Sequence, residues 1–355
     1  MKSSRIVQLA DLLEQEIRGS KLRPGDPYLS TDDAASKLHV STQAANNALR
    51  ILVKRGVVRR RRRLGTFIAR LPDETPPSAL QRVHLVVHEN YLRQEGMLSD
   101  GLMLGLQGEL PGSQLQFNFT PSHDGHEFAN RLIADALRTD GAEGFVLVRA
   151  PLAVQRIIAS SGLPAVVFGS LQPSVQSLPW IDRDQRQIGG LLGSHLLACG
   201  CRQIAALFRA ELAPGDFITL DQILAVAGAG GIKPSDFTMR ALPADLEAIK
   251  HAVLPVLIEG RRPLGLFCRS HLLAEGAMQA GELAGLQPGR DFELVVADVY
   301  RKSSDPPPPY AYARSTVDAE QIGHHIGRML AQQARGEPVA PGHELLPVAL
   351  ELPHV

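Results

Sequence analysis

Only three cysteines, Cys199, Cys201 and Cys268, occur in the 355 residues. That is too few for a disulfide framework, and a Cys-X-Cys pair in a helix-like run is badly placed to bridge, so a reducing compartment is expected. No apolar run reaches the roughly 18 uncharged residues that a membrane helix needs, and no apolar signal core opens the chain. The expectation is a cytoplasmic protein with no membrane partner. Catalytic signatures are missing as well: there is no G-x-S-x-G elbow, no phosphate-loop lysine and no H-E-x-x-H helix, so an enzyme is not expected. Net charge is absent too, with 37 Lys and Arg against 37 Asp and Glu, but the balance is uneven. Residues 1–70 hold 15 Lys/Arg against 6 Asp/Glu, leaving 22 against 31, so a head of +9 precedes a body of −9. Such a head attracts nucleic acid while the body repels it.

What the chain does have is concentrated first in residues 30–67. Ser30 is an N-cap with Asp33 in the capping-box position, so a helix is expected to begin there. A second helix follows from the N-cap Ser41. Ala45, Ala48, Leu49, Leu52 and Val53 fall on one helical face and leave Thr42, Gln43, Asn46, Asn47 and Arg50 off it. Val57, Val58, the arginine run 59–63, the turn Leu64-Gly65 and Thr66-Phe67-Ile68 then predict a short basic hairpin. A helix of this size fits the DNA major groove, Gln and Asn pair with adenine, and clustered arginines neutralise phosphates.

These features, with Leu22-Arg23-Pro24-Gly25-Asp26 before them and Gly65-Thr66-Phe67 closing them, resemble the winged helix-turn-helix of the GntR family of bacterial transcription regulators over residues 5–69. The resemblance implies double-stranded operator DNA as partner. The contact surface it implies is Ser41, Thr42, Gln43, Ala44, Asn46, Asn47 and Arg50 on the second helix, with Arg60, Arg62, Gly65 and Thr66 on the hairpin. Arginines usual in the family are replaced here by Asp32, Thr42 and Asn46, which points to an adenine-leaning readout supported by the arginine run.

The head is expected to span residues 1–70. Residues 71–81, with three prolines and no apolar period, read as a semi-rigid linker. From 82 to 355 strands alternate with helices, the signature of parallel α/β sheets. Strands are expected at 83–88, 115–119, 145–148, 165–168, 204–208, 264–268, 292–297 and around 345–352. Helices are expected at 98–110, 127–137, 153–160, 187–198, 246–259, 272–284 and 319–335, with a broken helical region near 220–229. About ten such alternations predict two lobes. Ligands of open α/β sheets sit past the carboxyl ends of strands. That rule selects Glu89, Asn90, Arg209, Arg269, His271 and Asp298.

This order, with Gly189, the run 195–200, Pro263 to Cys268 and Leu286 to Asp291, resembles the effector domain of the LacI family and the sugar-binding periplasmic proteins. The fold class is therefore α/β: an N-terminal winged helix-turn-helix followed by a two-lobed, doubly wound periplasmic-binding-protein-like domain. The resemblance adds Asp182 and Asp184 to the effector site and implies lobe crossings near 201–203, 306–313 and 339–343. It also implies a homodimer and a small-molecule effector, a sugar among the candidates. The function expected is a ligand-responsive transcriptional repressor. The alternative is a DNA-binding regulator whose large domain is only a dimerisation scaffold, since Ser270-His271 replace the family's Asn-Asp. His195, Cys199 and Cys201 recur over seven residues, but a structural zinc site needs four ligands, so they are read as core and no metal or cofactor is expected.

Overall fold

A computed structural model describes residues 2–20, 22–54, 56–61, 65–69, 80–89, 100–121, 123–138, 143–299, 306–339 and 342–353. Two compact units divide the chain, Met1–Pro77 and Ser78–Val355.

The first unit is built from α1 (Lys2–Gly19), β1 (Pro27–Tyr28), α2 (Thr31–Leu38), α3 (Thr42–Lys54), β2 (Val58–Arg61) and β3 (Gly65–Ile68). Ser30 Oγ accepts from Asp33 N at 3.2 Å and Asp33 Oδ2 accepts from Ser30 N at 3.3 Å, the reciprocal cap expected for α2. His39 ends that helix in the left-handed region at φ 51°. The apolar stripes of the three helices meet in one core of Leu13, Ile17, Ala34, Ala45, Leu49 and Leu52, closed below by Val57, Val58 and Ile68. The strands form an antiparallel sheet of order β1-β3-β2.

In the second unit the first sheet comprises β4 (Arg82–His88), β5 (Gln114–Thr120), β6 (Glu143–Val148), β7 (Ala165–Phe168), β8 (Trp180–Arg183) and β14 (His343–Leu346). Its order is β14-β8-β7-β6-β4-β5, parallel throughout. Alternation along β4 sends Leu85 and Val87 to one face and Val86 to the other. The first face is covered by α4 (Asp100–Glu109) and α11 (Ala319–Ala334), the second by α5 (Gly125–Arg138) and α6 (Leu152–Ser161). Leu80, expected in the linker, packs into the first of these cores. Glycines bring α4 and α11 together: a Cβ on Gly105 would lie 2.0 Å from Glu320 O, and one on Gly323 2.3 Å from Leu102 O.

The second sheet comprises β9 (Gln203–Arg209), β10 (Phe237–Leu242), β11 (Leu264–Cys268), β12 (Phe292–Val296), β13 (Ala311–Ser315) and β15 (Val348–Glu351), in the order β10-β9-β11-β12-β13-β15. Only β15 runs antiparallel. Helices α7 (Gln185–Ala198) and α8 (Pro214–Ala229) cover one face, and α9 (Leu246–Glu259) and α10 (His271–Ala284) the other. The region expected to be a broken helix is the continuous α8.

The expected lobe crossings are each displaced. Ile188, Leu192 and Leu196 of α7 pack on the second sheet, so the first crossing precedes that helix, at Asp184, rather than following it at 201–203. The second lies between β13 and α11, at residues 316–318, and the third is Pro347, between β14 and β15. The single terminal strand expected at 345–352 is thus two strands in different sheets. Proline at the break suits a chain that leaves one ladder and enters another at sheet edges.

Candidate functional site

On the first unit, α3 buries Ala45, Ala48 and Leu49 and exposes Ser41, Thr42, Gln43 and Arg50, while Ala44, Asn46 and Asn47 are half-buried. Ser41 Oγ accepts from Ala44 N at 3.3 Å, so it serves as the helix cap. The hairpin is tied to this helix by one side chain. Arg60 of β2 donates through Nη1 to Asn46 Oδ1 at 2.7 Å and through Nη2 to Thr31 Oγ1 at 2.8 Å. Gly65, at φ +106°, makes the hairpin bend in a conformation that L side chains rarely adopt. Thr66, expected at the DNA surface, is a correction: alternation on β3 turns it inward with Ile68, and it is buried. Arg62 lies outside the described residues. Arg59, Arg60 and Arg61 are all exposed, and Arg61 sits over the Phe67 ring at 5.9 Å.

The second unit carries a buried lattice of charge where the strand ends of its two sheets meet. From the first lobe come Arg149 after β6, Ser170 after β7, and Asp182 and Arg183 of β8. From the second come Arg209 ending β9, Asp216 in the first turn of α8, Arg269 after β11 and Asp298 after β12. Arg209 reaches Asp298 at 2.6 Å and Asp216 at 3.4 Å. Arg269 contacts Asp216 at 2.6 Å, Asp298 at 2.5 Å and Gln185 Oε1 at 3.0 Å. Arg183 crosses from the first lobe, donating to Asp298 and, at 3.0 Å, to Ala297 O. Asp182 accepts from Ser170 Oγ at 2.5 Å, from Arg183 N at 2.8 Å and from Gln185 Nε2 at 3.0 Å.

Burial and charge pull against each other here. Burial pushes the Asp182 carboxyl above its ordinary range, against the Ser170 hydrogen bond and Arg183. Burial also raises Asp216, but the guanidinium groups of Arg269 and Arg209 outweigh it and hold that carboxyl below the usual range. Burial lowers the Arg269 guanidinium, and Asp216 counters it. The lattice lines a narrow cleft of about 70 Å³. A larger hollow of about 250 Å³ shares Arg149, Ser170 and Ala213 with it and is walled by His88, Pro151, Gln172 and Glu211. Arg149 stands at φ 51°, a left-handed conformation that costs a non-glycine residue energy and recurs at functional sites. The lobes touch closely beside it: a Cβ on Gly215 would lie 2.4 Å from Ser170 Oγ.

Of the residues selected from sequence, Asp182, Arg209, Arg269 and Asp298 meet in this lattice. Asp184 does not line it; its side chain accepts from Gln187 N at 2.9 Å as the N-cap of α7, which is what the crossing requires of it. His271 is also a correction, exposed at the start of α10 with Nδ1 2.8 Å from Tyr310 Oη, because α10 begins there and turns it out of the cleft. Asn90 lies outside the described residues. Arg149, Arg183, Gln185 and Asp216 were not selected. Arg149 directly follows an expected strand, so the strand-end rule reaches it; Arg183 ends and Gln185 follows a strand with no apolar pattern, and Asp216 lies in the first turn of a helix whose sequence pattern looks broken. The Cys199 thiol, expected in the core, is exposed and His195 half-buried, whereas Cys201 is buried as expected.

Residues 5–68 match the family of bacterial regulatory proteins named gntR, and residues 194–352 match the periplasmic binding protein-like domain. No curated protein matches the chain in sequence. Among solved structures the chain is similar to a complex of the transcriptional regulator CelR with cellobiose, at 19% identity and TM-score 0.63, over 98% of this chain and 97% of that one. The lac repressor dimer bound to operator and an anti-inducer is similar at 20% identity and TM-score 0.60, over 76% of this chain and 92% of that one. A LacI-family regulator from Enterococcus faecium with bound ribose is similar at 17% identity and TM-score 0.60, over 77% and 97%. No helix among the described residues is long and apolar enough to cross a membrane. The chain therefore joins a segment that matches the gntR family of bacterial regulatory proteins, residues 5–68, to one that matches the periplasmic binding protein-like domain, residues 194–352, and it shares its fold with solved regulators of the LacI family.

Proposed function

We propose that this regulator senses a small polar molecule between the lobes of residues 82–355 and that the bound molecule changes the operator affinity of residues 1–70. The observation that carries the reading is the lattice shared by both lobes, in which Arg183 of one holds Asp298 of the other. A molecule entering there must exchange with contacts that span the lobes, so its affinity differs between lobe arrangements, and that difference is what an effector needs to shift an equilibrium. The similar proteins with cellobiose and ribose make a sugar the leading class. Four arginines against three aspartates in the cleft, one of the aspartates with a raised pKa, favour a sugar that carries an acidic group. Asn47 and Gln43 on α3 read adenine in the major groove, and Arg59 to Arg61 supply phosphate contacts. The active form is a homodimer on a pseudo-palindromic site, and it represses. The exposed Phe117 and Phe119 on the edge strand β5 support self-association.

Selection of bound duplexes from a randomised pool, followed by thermal-shift screening against sugars, sugar phosphates, polyols and nucleosides, tests the reading. A ligand that raises the melting temperature and changes affinity for the selected operator supports it. A ligand that stabilises the protein without changing that affinity removes the allosteric half. A second reading, a large domain that only dimerises, is favoured by the partners that Arg269 already has within the protein, the carboxylates of Asp216 and Asp298 and the side-chain amide of Gln185. Silence across the library, with specific operator binding intact, selects it.

A further inference from the structure

The carboxyl ends of the second sheet's strands face the charge lattice. The opposite end of that sheet carries a different cluster. His195 and Cys199 lie four residues apart at the end of α7, so they stack on one face. Their Nε2 and Sγ atoms are 3.6 Å apart. Glu293, the second residue of β12, brings a carboxylate oxygen to the same point, and the three ligand atoms all lie within 4.8 Å of one another.

The spacing serves a sulfur–nitrogen hydrogen bond when no ion is bound, and it also suits a shared metal ion. With metal–nitrogen and metal–sulfur distances of about 2.0 and 2.3 Å and a tetrahedral angle, nitrogen and sulfur stand about 3.5 Å apart. The charge is also incomplete. Glu293 is half-buried, and among the described residues no lysine, arginine or hydrogen-bond donor pairs with its carboxylate. A carboxylate, a thiol and an imidazole facing one another without a cation form a donor set suited to zinc-class ions, which accept oxygen, sulfur and nitrogen alike.

We propose that His195 Nε2, Cys199 Sγ and one Glu293 carboxylate oxygen bind a single divalent ion of the zinc class. The ion enters hydrated and sheds waters to the three ligands, the Cys199 thiol releases its proton to solvent, and the fourth tetrahedral position keeps a water, because Cys199 is exposed. The ion ties the end of α7 to β12. Since α7 begins at the first crossing between the lobes, its anchorage at the far end stiffens the helix that leaves that crossing.

The test uses the full chain, stripped with a chelator and kept reduced without added thiol, and titrated with cobalt(II). One equivalent is expected to bind with a thiolate-to-cobalt charge-transfer band in the near ultraviolet and visible bands of tetrahedral intensity, and zinc is expected to bleach both. C199S and H195Q are expected to abolish the charge-transfer band, and E293Q to weaken cobalt binding by roughly tenfold or more, the least that losing even an outer partner costs. Cys268→Ala, on the other face of the sheet, is expected to retain the band. Thermal melts establish that each variant is folded. Absence of the charge-transfer band in the stripped wild-type chain, or a band that survives C199S in a folded protein, overturns the proposal.

Discussion

Asp298 of the second lobe holds three guanidinium groups, and one of them, Arg183, belongs to the first lobe. The side chains of Asp298, Arg209 and Arg269 are all at most 5% exposed. Removing one member of a buried ion pair leaves its partners charged and desolvated, at a cost of about 3–5 kcal/mol. D298N is therefore expected to lose stability on that scale in urea unfolding. A change below about 1 kcal/mol, the size of an exposed pair, would mean that water reaches the lattice.

Opening of the lobes has a more selective probe. Gly215→Ala introduces a methyl group 2.4 Å from Ser170 Oγ, at a point where the two lobes meet. The expected result is a larger radius of gyration in X-ray scattering with the secondary structure unchanged. An unaltered radius would show that Ser170 turns aside.

Packing of α4 against α11 depends on Gly105 and Gly323. Gly105→Ala sets a methyl against the backbone oxygen of Glu320, which has no rotamer with which to retreat. Overpacking of this kind costs about 1–3 kcal/mol, read as a lower urea midpoint with the slope conserved.

On the DNA side, Arg60→Ala removes one cation and the tie from the hairpin to Asn46 and Thr31. Operator affinity is expected to fall and the slope of log affinity against log salt to shrink by about one. Asn47→Ala is expected to act differently, costing about 1–3 kcal/mol at one A·T position of the selected operator with the salt slope intact. Equal losses on all sequences would assign Asn47 to the backbone.

His88, in the wall of the larger hollow, gives a pH dependence. Burial is the largest influence and lowers its pKa from the ordinary 6.5; Glu211 and Glu89 oppose this, and Arg149 adds to it. The folded protein then keeps this imidazole neutral where the unfolded chain protonates it. Stability should be intact above pH 6.5 and decline as the pH falls from there toward the lowered value. In H88N that part of the slope should vanish, with the carboxylate-driven loss at lower pH retained.

The elements that could be read from sequence were those whose pattern coincides with burial. Residues 246–259 and 264–268 form α9 and β11 at the expected positions because a helical stripe and an unbroken apolar run leave no alternative. Strand β8, Trp-Ile-Asp-Arg, has no apolar alternation because it carries buried Asp182 and half-buried Arg183, which burial tolerates only through polar partners, Ser170 and Gln185 for Asp182 and Asp298 of the other lobe for Arg183. Strand β10 was missed as a half-exposed edge. The crossings were misplaced because the apolar face of α7 suits either sheet, and only packing chooses between them. At the site, strand ends pointed to Arg209, Arg269 and Asp298, but no spacing in the chain announces that Asp216, in a helix start, closes the lattice.

The first lobe is finished late. Its strands β4 to β8 come from residues 82–183, while α11, which covers one face of their sheet with Ile322, Ile326 and Leu330, follows only after the entire second lobe. A ribosome delivering this chain therefore holds an apolar sheet face covered by α4 alone through more than a hundred residues of further synthesis. Exposed surface of that kind invites aggregation and the attention of chaperones. The two lobes cannot mature one after the other, and the nascent protein stays a client of the folding machinery until β14 and β15 arrive together to close both sheets.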